Sequence, residues 1–432
     1  MLTARLLGVG MRIASRQSMQ LESAGPDFRL PAPDPAKRYL LYVHVPFCPV
    51  LCPFCSFHRV ELREAKSRHY FPALRRQIEG YAAAGFRVGS VYVGGGTPTA
   101  DPGALFDLLG RIRALFGPVP VSVETNPSDL RPEIVSSLLE AGVQRLSVGI
   151  QSFDDDLLRG MGRLATYGSG AAIRERLGSV AGLFPTLNID LIFNLPGQTR
   201  DSLARDLALI QQDGFADQVS YYPLMATPST QRAMRERMGA ATLAREHEYY
   251  RLIRTQLASG YEPATAWCFS RRRGAIDEYI VTDDEYLGAG SGAFGYLQGI
   301  FYSNTFSLNR YGALATGAAG PVTMYRRMSE REQMRYDLLT RLFGLHLDRE
   351  TIERKYQGRF ARTLRFELAG LQALGTLRSD AAGWHLTERG LYAWVVLMRE
   401  FLSGVNRFRE QLRLHIRDEG VRARGVAVLG EG

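Results

Sequence analysis

Between about residue 39 and residue 260 the chain alternates short β-rich runs with stretches whose apolar residues recur every three to four positions. The runs are YLLYVHV, SVYVG, VPVSVET, RLSVGIQ, LNIDLIF and QVSYYPL. Between them, YFPALRRQIEGYAAAG, GALFDLLGRIRALFG and RPEIVSSLLEAGV carry a helical period and stop at glycine. Six βα repeats result. Such a series closes into a full or partial barrel, or opens into a doubly wound sheet, and in both the chemistry sits at the carboxyl ends of the strands. Cys48 follows the first run, Gly94, Gly95, Gly96 and Thr97 the second, Glu124 ends the third, Gln151 the fourth, and Asp190 lies in the fifth. A buried acid inside NIDLIF is costly without a partner. One shared site on one rim is the expectation.

Single cores stop growing near roughly 250 to 300 residues, so a chain of 432 residues calls for a second, smaller unit. Residues 262–324 read as an irregular barrel extension, rich in Gly and aromatics, with no Asp or Glu from Leu287 to Met328. From about 325 to 432 the pattern turns helical, and GTLRSDAAGWHLTERG reads as a β wing between helices. The expected division is a flexible lead-in (1–36), an α/β core of six βα units (37–261), the extension (262–324), and a mainly helical, winged-helix-like C-terminal domain (325–432). The start, MLTARLLGVGMRIASRQ, is basic, and Gly, Met and Arg break it before a signal-peptide core forms. No apolar stretch approaches the ~20 residues that span a bilayer.

The formal net charge is +9, and arginine dominates the surplus. Such a balance suits nucleic acid, an anionic lipid surface or an acidic small molecule. The basic residues are scattered, which argues against nucleic acid, and the dense run Arg271-Arg272-Arg273 reads as a solvated loop.

Three of the four cysteines fall in FCPVLCPFC. Clustered thiols in so long a chain indicate metal binding in a reducing, cytoplasmic compartment rather than a disulfide framework. The spacing Cys-x3-Cys-x2-Cys lacks the second pair of a zinc site. A [4Fe–4S] cluster normally takes four thiolates, so Cys48, Cys52 and Cys55 would leave one iron open to a small molecule. The fourth, Cys268 in AWCFS, reads as core, with a hydrogen-donor role at the pocket as the alternative.

This spacing resembles that of the radical S-adenosylmethionine (SAM) enzymes. LYVHVPFC, GGGTPT, ETNP, RLSVGIQSF, MGR and NIDLIFNLPGQT extend the resemblance, over roughly residues 39–300, to the oxygen-independent coproporphyrinogen oxidase (HemN-like) superfamily. The resemblance implies a partial (β/α)6 radical SAM barrel. It also implies a cluster on Cys48, Cys52 and Cys55 whose fourth iron is chelated by SAM, and reductive SAM cleavage to a 5′-deoxyadenosyl radical. Gly95, Gly96 and Thr97 would admit the methionine end of SAM. Tyr42 and Phe54 would flank the cofactor, and Glu124, Gln151, Arg163 and Asp190 would make its polar contacts. A one-electron donor such as flavodoxin or ferredoxin, and a tetrapyrrole substrate, are implied as partners.

Phe57 stands where the decarboxylating members carry a further cysteine, which puts decarboxylation in doubt; haem-chaperone members lack that cysteine too. WCFSRRRGAIDEYIVTDDEYLGAGSGAFGYLQGIFYSNTFSLNRY and REFLSGVNRFREQLR resemble the ChuW/HutW haem-utilisation group, methyltransferases that open haem without oxygen using a second SAM. Arg271, Arg272, Arg273 and Arg310 are candidate propionate partners. A haem carrier is the rival, but His44, His58, His69, His247, His346, His385 and His415 are too dispersed to name an axial ligand. Gly290, Gly292 and Gly295 match a dinucleotide fingerprint only formally, since no acid follows about 20 residues on. They read instead as a glycine-rich turn bearing SAM or substrate.

Overall fold

All six apolar runs are parallel neighbours in one sheet: β1 (Tyr39–Val45), β2 (Val88–Gly95), β3 (Val121–Thr125), β4 (Val143–Gln151), β5 (Thr186–Phe193) and β6 (Gln218–Pro223). The computed structural model describes residues 2–18, 20–25, 27–272, 281, 283–315 and 320–428, the side chains of 2, 3, 14–18 and 414–428 excepted. Every residue of β1 is buried, as befits a strand covered on both faces. The intervening helices obey local rules. The helix Pro102–Phe116 starts on Asp101, whose side chain accepts from Ala104 N, and ends at Gly117 with φ +77°. The helix Arg200–Asp213 opens with a Thr199/Ser202 capping box and closes on left-handed Gly214.

Residues 262–324 are more regular than expected, and they serve both edges of the sheet. β7 (Cys268–Ser270) pairs antiparallel with β6, whereas β8 (Tyr286–Ala289) lies parallel to β1 at the other edge. Beyond β8 follow antiparallel β9 (Phe294–Leu297), β10 (Ile300–Asn304) and β11 (Val322–Arg327). Among the described residues the order is linear, thirteen strands with two ends, so the barrel is partial. β11 runs through residue 325, and the helical unit starts only after its hydrogen bonds are spent, at the Ser329/Glu332 capping box of the helix Glu330–Phe343. That unit holds a three-stranded antiparallel sheet, β12 (His346–Asp348), β13 (Leu377–Ser379) and β14 (Gly383–Leu386), and one long helix, Glu388–Val428.

The lead-in expected to be flexible is helix α1 (Leu2–Ser18), packed along Glu388–Val428, hereafter α2. Small residues allow the close approach: a Cβ on Gly8 would stand 2.7 Å from Val396 Cγ1. One turn on, Arg12 grips Glu400 with two hydrogen bonds of 2.9 and 3.0 Å. Among the described residues no helix is long and apolar enough to cross a membrane.

Candidate functional site

The carboxyl ends of β1–β6 open into a cavity of about 320 Å³. Cys48, Cys52, Cys55, Tyr42, Phe54, Gly95, Gly96, Thr97, Glu124, Gln151, Arg163 and Asp190 all line it. The cysteine loop is held by its own backbone and by three side chains. Phe47–Cys48 pairs in parallel with Val60–Glu61. Arg59 donates to the carbonyls of Cys52 and Cys55. Thr97 Oγ1 lies 3.7 Å from Cys48 Sγ, and Arg163 Nη1 lies 3.6 Å from Cys52 Sγ, each donating toward sulfur. Such donors favour thiolate over thiol. Burial and the neighbouring Cys55 nevertheless hold the free Cys48 thiol up at about 12, so metal binding there must displace a proton.

The glycine turn after β2 is fastened to the same loop. Gly96 N donates to Val45 O and Thr97 N to Phe47 O, at 2.8 and 2.7 Å. Gly95 adopts φ +114°, and a Cβ on Gly96 would collide with Phe47 O at 2.6 Å, so neither position tolerates a side chain. Glu124 accepts from Gly95 N and Tyr92 OH, both at 2.9 Å, and burial raises its carboxyl above the usual range. Asp190 is satisfied by Ser147 Oγ and Asn188 Nδ2, each at 2.8 Å, which is the partnering that an acid in NIDLIF requires. Gln151 stands at φ +73° beside a bulge in β4, an uncommon conformation for a side-chain-bearing residue.

Arg163 is 3% exposed, with its guanidinium 4.1 Å from the Tyr167 ring centroid. Its terminal nitrogens serve Asn126 Oδ1, Gly149 O and Cys52 Sγ, leaving Nε buried without an acceptor. An orphaned cationic donor beside three cysteines suits an anionic group in this cavity. Among the described residues no three His, Cys, Asp or Glu converge on one point as a mononuclear metal requires. A four-iron cluster places each thiolate on a separate iron and so wants them wider apart.

Other expectations do not reach the site. Cys268 is fully buried in β7 and does not line the cavity, which removes the geometric basis for a hydrogen-donor role. Arg271 lies over the Tyr261 ring at 5.0 Å, and Arg271, Arg272 and Arg310 are exposed away from the cavity; Arg273 lies outside the described residues. The glycines of GAGSGAFG pack the seam of β1 and β8 and do not line the cavity, a Cβ on Gly290 meeting His44 O at 2.4 Å; of this segment Phe294 alone reaches the cavity. No described histidine lines the cavity, and the His415 side chain lies outside the described set. His44, held near a pKa of about 4 by burial, is neutral; its Nε2–H donates to His58 O while Nδ1 accepts from Tyr42 OH.

The motif reading missed Asn126, which donates to Thr97 Oγ1 and accepts from Arg163, although ETNP contains it. It also missed the wall supplied by α2, where Phe401, Leu402, Val405, Asn406 and Arg409 line the cavity beside Phe294 and Phe301.

A partial βα barrel with this thiol-lined rim is the frame of a protein that uses an open-iron cluster, and comparison agrees. The model of the radical SAM superfamily matches residues 42–210. A heme chaperone HemW of Mycobacterium tuberculosis is 32% identical over 69% of this chain and 79% of that protein. An anaerobilin synthase of Escherichia coli O157:H7 is 29% identical over 70% of this chain and 71% of its own length. The solved coproporphyrinogen III oxidase HemN of Escherichia coli superposes with a TM-score of 0.71 at 23% identity, covering 90% of this chain and 93% of that one. The chain belongs to the HemN-like family of radical SAM proteins. Its cofactors are a [4Fe–4S] cluster and SAM.

Proposed function

We propose that this chain is an enzyme of tetrapyrrole chemistry that methylates haem and opens its ring without oxygen. One observation carries the reading: the three cysteines and an aromatic wall of Phe294, Phe301 and Phe401 line one continuous space, which sets an apolar surface suited to a flat macrocycle beside the place of the cluster and SAM. When bound, cluster and SAM supply a 5′-deoxyadenosyl radical by one-electron cleavage. The chain's own task is placement. Arg59, Thr97 and Asn126 fix the cysteine loop and the glycine turn. Gly95 and Gly96 leave room for the methionine end of SAM, and Glu124, Gln151 and Asp190 receive its hydroxyl and ammonium groups. Arg163 keeps only Nε for a carboxylate. Phe57 offers a ring where the decarboxylating branch has a thiol, which favours haem over coproporphyrinogen.

The second reading, haem delivery, draws on the relative named heme chaperone HemW. Anaerobic incubation of the reconstituted protein with haem, SAM and reductant separates the two. An enzyme yields 5′-deoxyadenosine and a methylated, ring-opened tetrapyrrole by mass spectrometry. A carrier returns haem intact, and conversion of coproporphyrinogen instead of haem assigns the biosynthetic branch.

A further inference from the structure

Of the residues that line the cavity, Gln151 alone combines a side chain beyond Cβ with a positive φ, +73°. It stands at the bulge of β4, where Gly149 pairs with Asp190 and Gln151 with Leu191, and Ile150 between them is fully buried. The Gln151 amide is laid over Gly149: a Cβ there would stand 3.0 Å from Gln151 Nε2 and 3.6 Å from Asn126 Oδ1. Gly149 O and Asn126 Oδ1 are the two oxygens that accept from Arg163 Nη2, so the amide sits in the polar group beside the cysteine loop.

A left-handed residue that bears a side chain persists only where its surroundings over-determine it. Here one carboxylate of the next βα unit does so. Asp206, in the helix Arg200–Asp213, is 1% exposed; its Oδ2 accepts from Ser152 Oγ at 2.7 Å and its Oδ1 from Phe153 N at 3.1 Å. Both oxygens are thus spent on the two residues that follow Gln151. Ser152 Oγ accepts in turn from Asp154 N at 3.1 Å, and Asp154 caps the helix Asp155–Gly160. On the other side Phe153 O is pressed so closely against Gly170 that a Cβ there would stand 1.9 Å away. Asp206 does not line the cavity, so whatever it does to a ligand passes through Ser152 into Gln151. The helix start is already served by its Thr199/Ser202 capping box, and no rule of helix formation calls for a costly buried acid at its middle.

We propose that Asp206 is a positioning residue for SAM: by clamping Ser152 and Phe153 it holds Gln151 in its left-handed conformation, with the amide aimed at the cofactor. The assignment rests on the reading of Gln151 as a SAM contact and adds the residue, remote from the cavity, that sets its aim.

Titration calorimetry of SAM into the reconstituted holoprotein under anaerobic conditions, with melting temperatures taken on the same samples, tests the clamp. Asp206→Ala weakens SAM by about tenfold, the scale on which loss of an outer support acts on the group it holds. Asp206→Asn, which keeps an acceptor for Phe153 N and a polar partner for Ser152, retains most of the affinity. Because the effect passes through Gln151, the double variant Gln151→Ala/Asp206→Ala binds SAM no worse than the weaker of the two single variants. Leu207→Ala, at a fully buried neighbour in the same helix, lowers Tm and leaves SAM affinity at the wild-type value. Should Asp206→Ala fail to fold, Ser152→Ala removes one half of the clamp and is read the same way. Wild-type affinity in Asp206→Ala, additive losses in the double variant, or an equal loss in Leu207→Ala overturns the proposal. Wild-type affinity in Gln151→Ala is a different result: the reading of Gln151 as a SAM contact itself falls, and the clamp has nothing to aim.

Discussion

The α2 wall of the cavity is seated by a buried ionic network, and the network sets a measurable cost. Glu246 is 1% exposed and accepts from the Arg399 guanidinium and from Tyr392 OH, the latter at 3.0 Å. Arg399 also donates to Glu400 at 2.9 Å, and Glu400 holds Arg12 of α1. Burial opposes ionisation of Glu400, yet Arg12 and Arg399 together bring its carboxyl below the usual range. Glu246→Ala leaves Arg399 buried with one acid that it must share with Arg12. Removing one partner of a buried pair costs about 3–5 kcal/mol, and the remaining Glu400 places this case near the lower figure. With an unfolding entropy of about 2.1 cal/mol/K per residue, 432 residues give about 0.9 kcal/mol/K, so Tm drops by about 3 °C if the chain melts as one unit. Scanning calorimetry of the reconstituted protein under anaerobic conditions reads this directly. The double variant Glu246→Leu/Arg399→Met removes both charges and recovers most of the loss. A single variant melting within about 1 °C of wild type, or a double variant less stable than the single, shows that apolar packing alone seats α2 and refutes the argument.

Serine at Cys48, Cys52 or Cys55 lowers iron content and abolishes 5′-deoxyadenosine release, whereas Cys268→Ala, a change in β7 away from the cavity, preserves the release. Arg59→Met frees the carbonyls of Cys52 and Cys55, and the cluster is lost to a chelator about tenfold faster, as expected when an outer-shell support is removed. Burial raises the Asp206 carboxyl to about 7 from 3.8, against hydrogen bonds from Ser152 Oγ and Phe153 N that favour the ionised form. The folded acid keeps its proton where the unfolded one has lost it, so this group's contribution falls as pH rises from about 4 to about 7 and is level above that. Asp206→Asn removes that slope, and denaturant midpoints measured across the range detect the difference.

Much of the fold was legible because each of the six core strands announces itself locally, as an apolar run bounded by turn residues. The edges were not. Nothing in CFS or YLGA states that β7 will close one side of the sheet and β8 the other, because those partners are chosen by long-range pairing. α1 escaped for a related reason: its glycines weaken the helical signal, and their use, the contact of Gly8 with Val396, depends on a helix nearly four hundred residues away.

The candidate site divides along the same line. Cys48, Cys52, Cys55, Gly95, Gly96 and Thr97 sit in short motifs whose spacing alone implies their proximity, and the structure brings them together. The α2 wall lies in REFLSGVNRFREQLR, a segment whose spacing does not state what its faces meet. Phe401, Val405 and Arg409 recur at i, i+4 and i+8, which places them on one face of α2, but the sequence period is the same whether that face meets solvent, core or ligand. The packing of α2 against α1, Glu246 and the helix Glu330–Phe343, where Trp394 Nε1 donates to Leu339 O at 2.9 Å, fixes its rotation and turns that face toward Phe294. A substitution that loosens the Glu246–Arg399 seat therefore moves Phe401 and Val405 relative to the cysteines, so the shape of the cavity wall and the stability of its seat are one structural property.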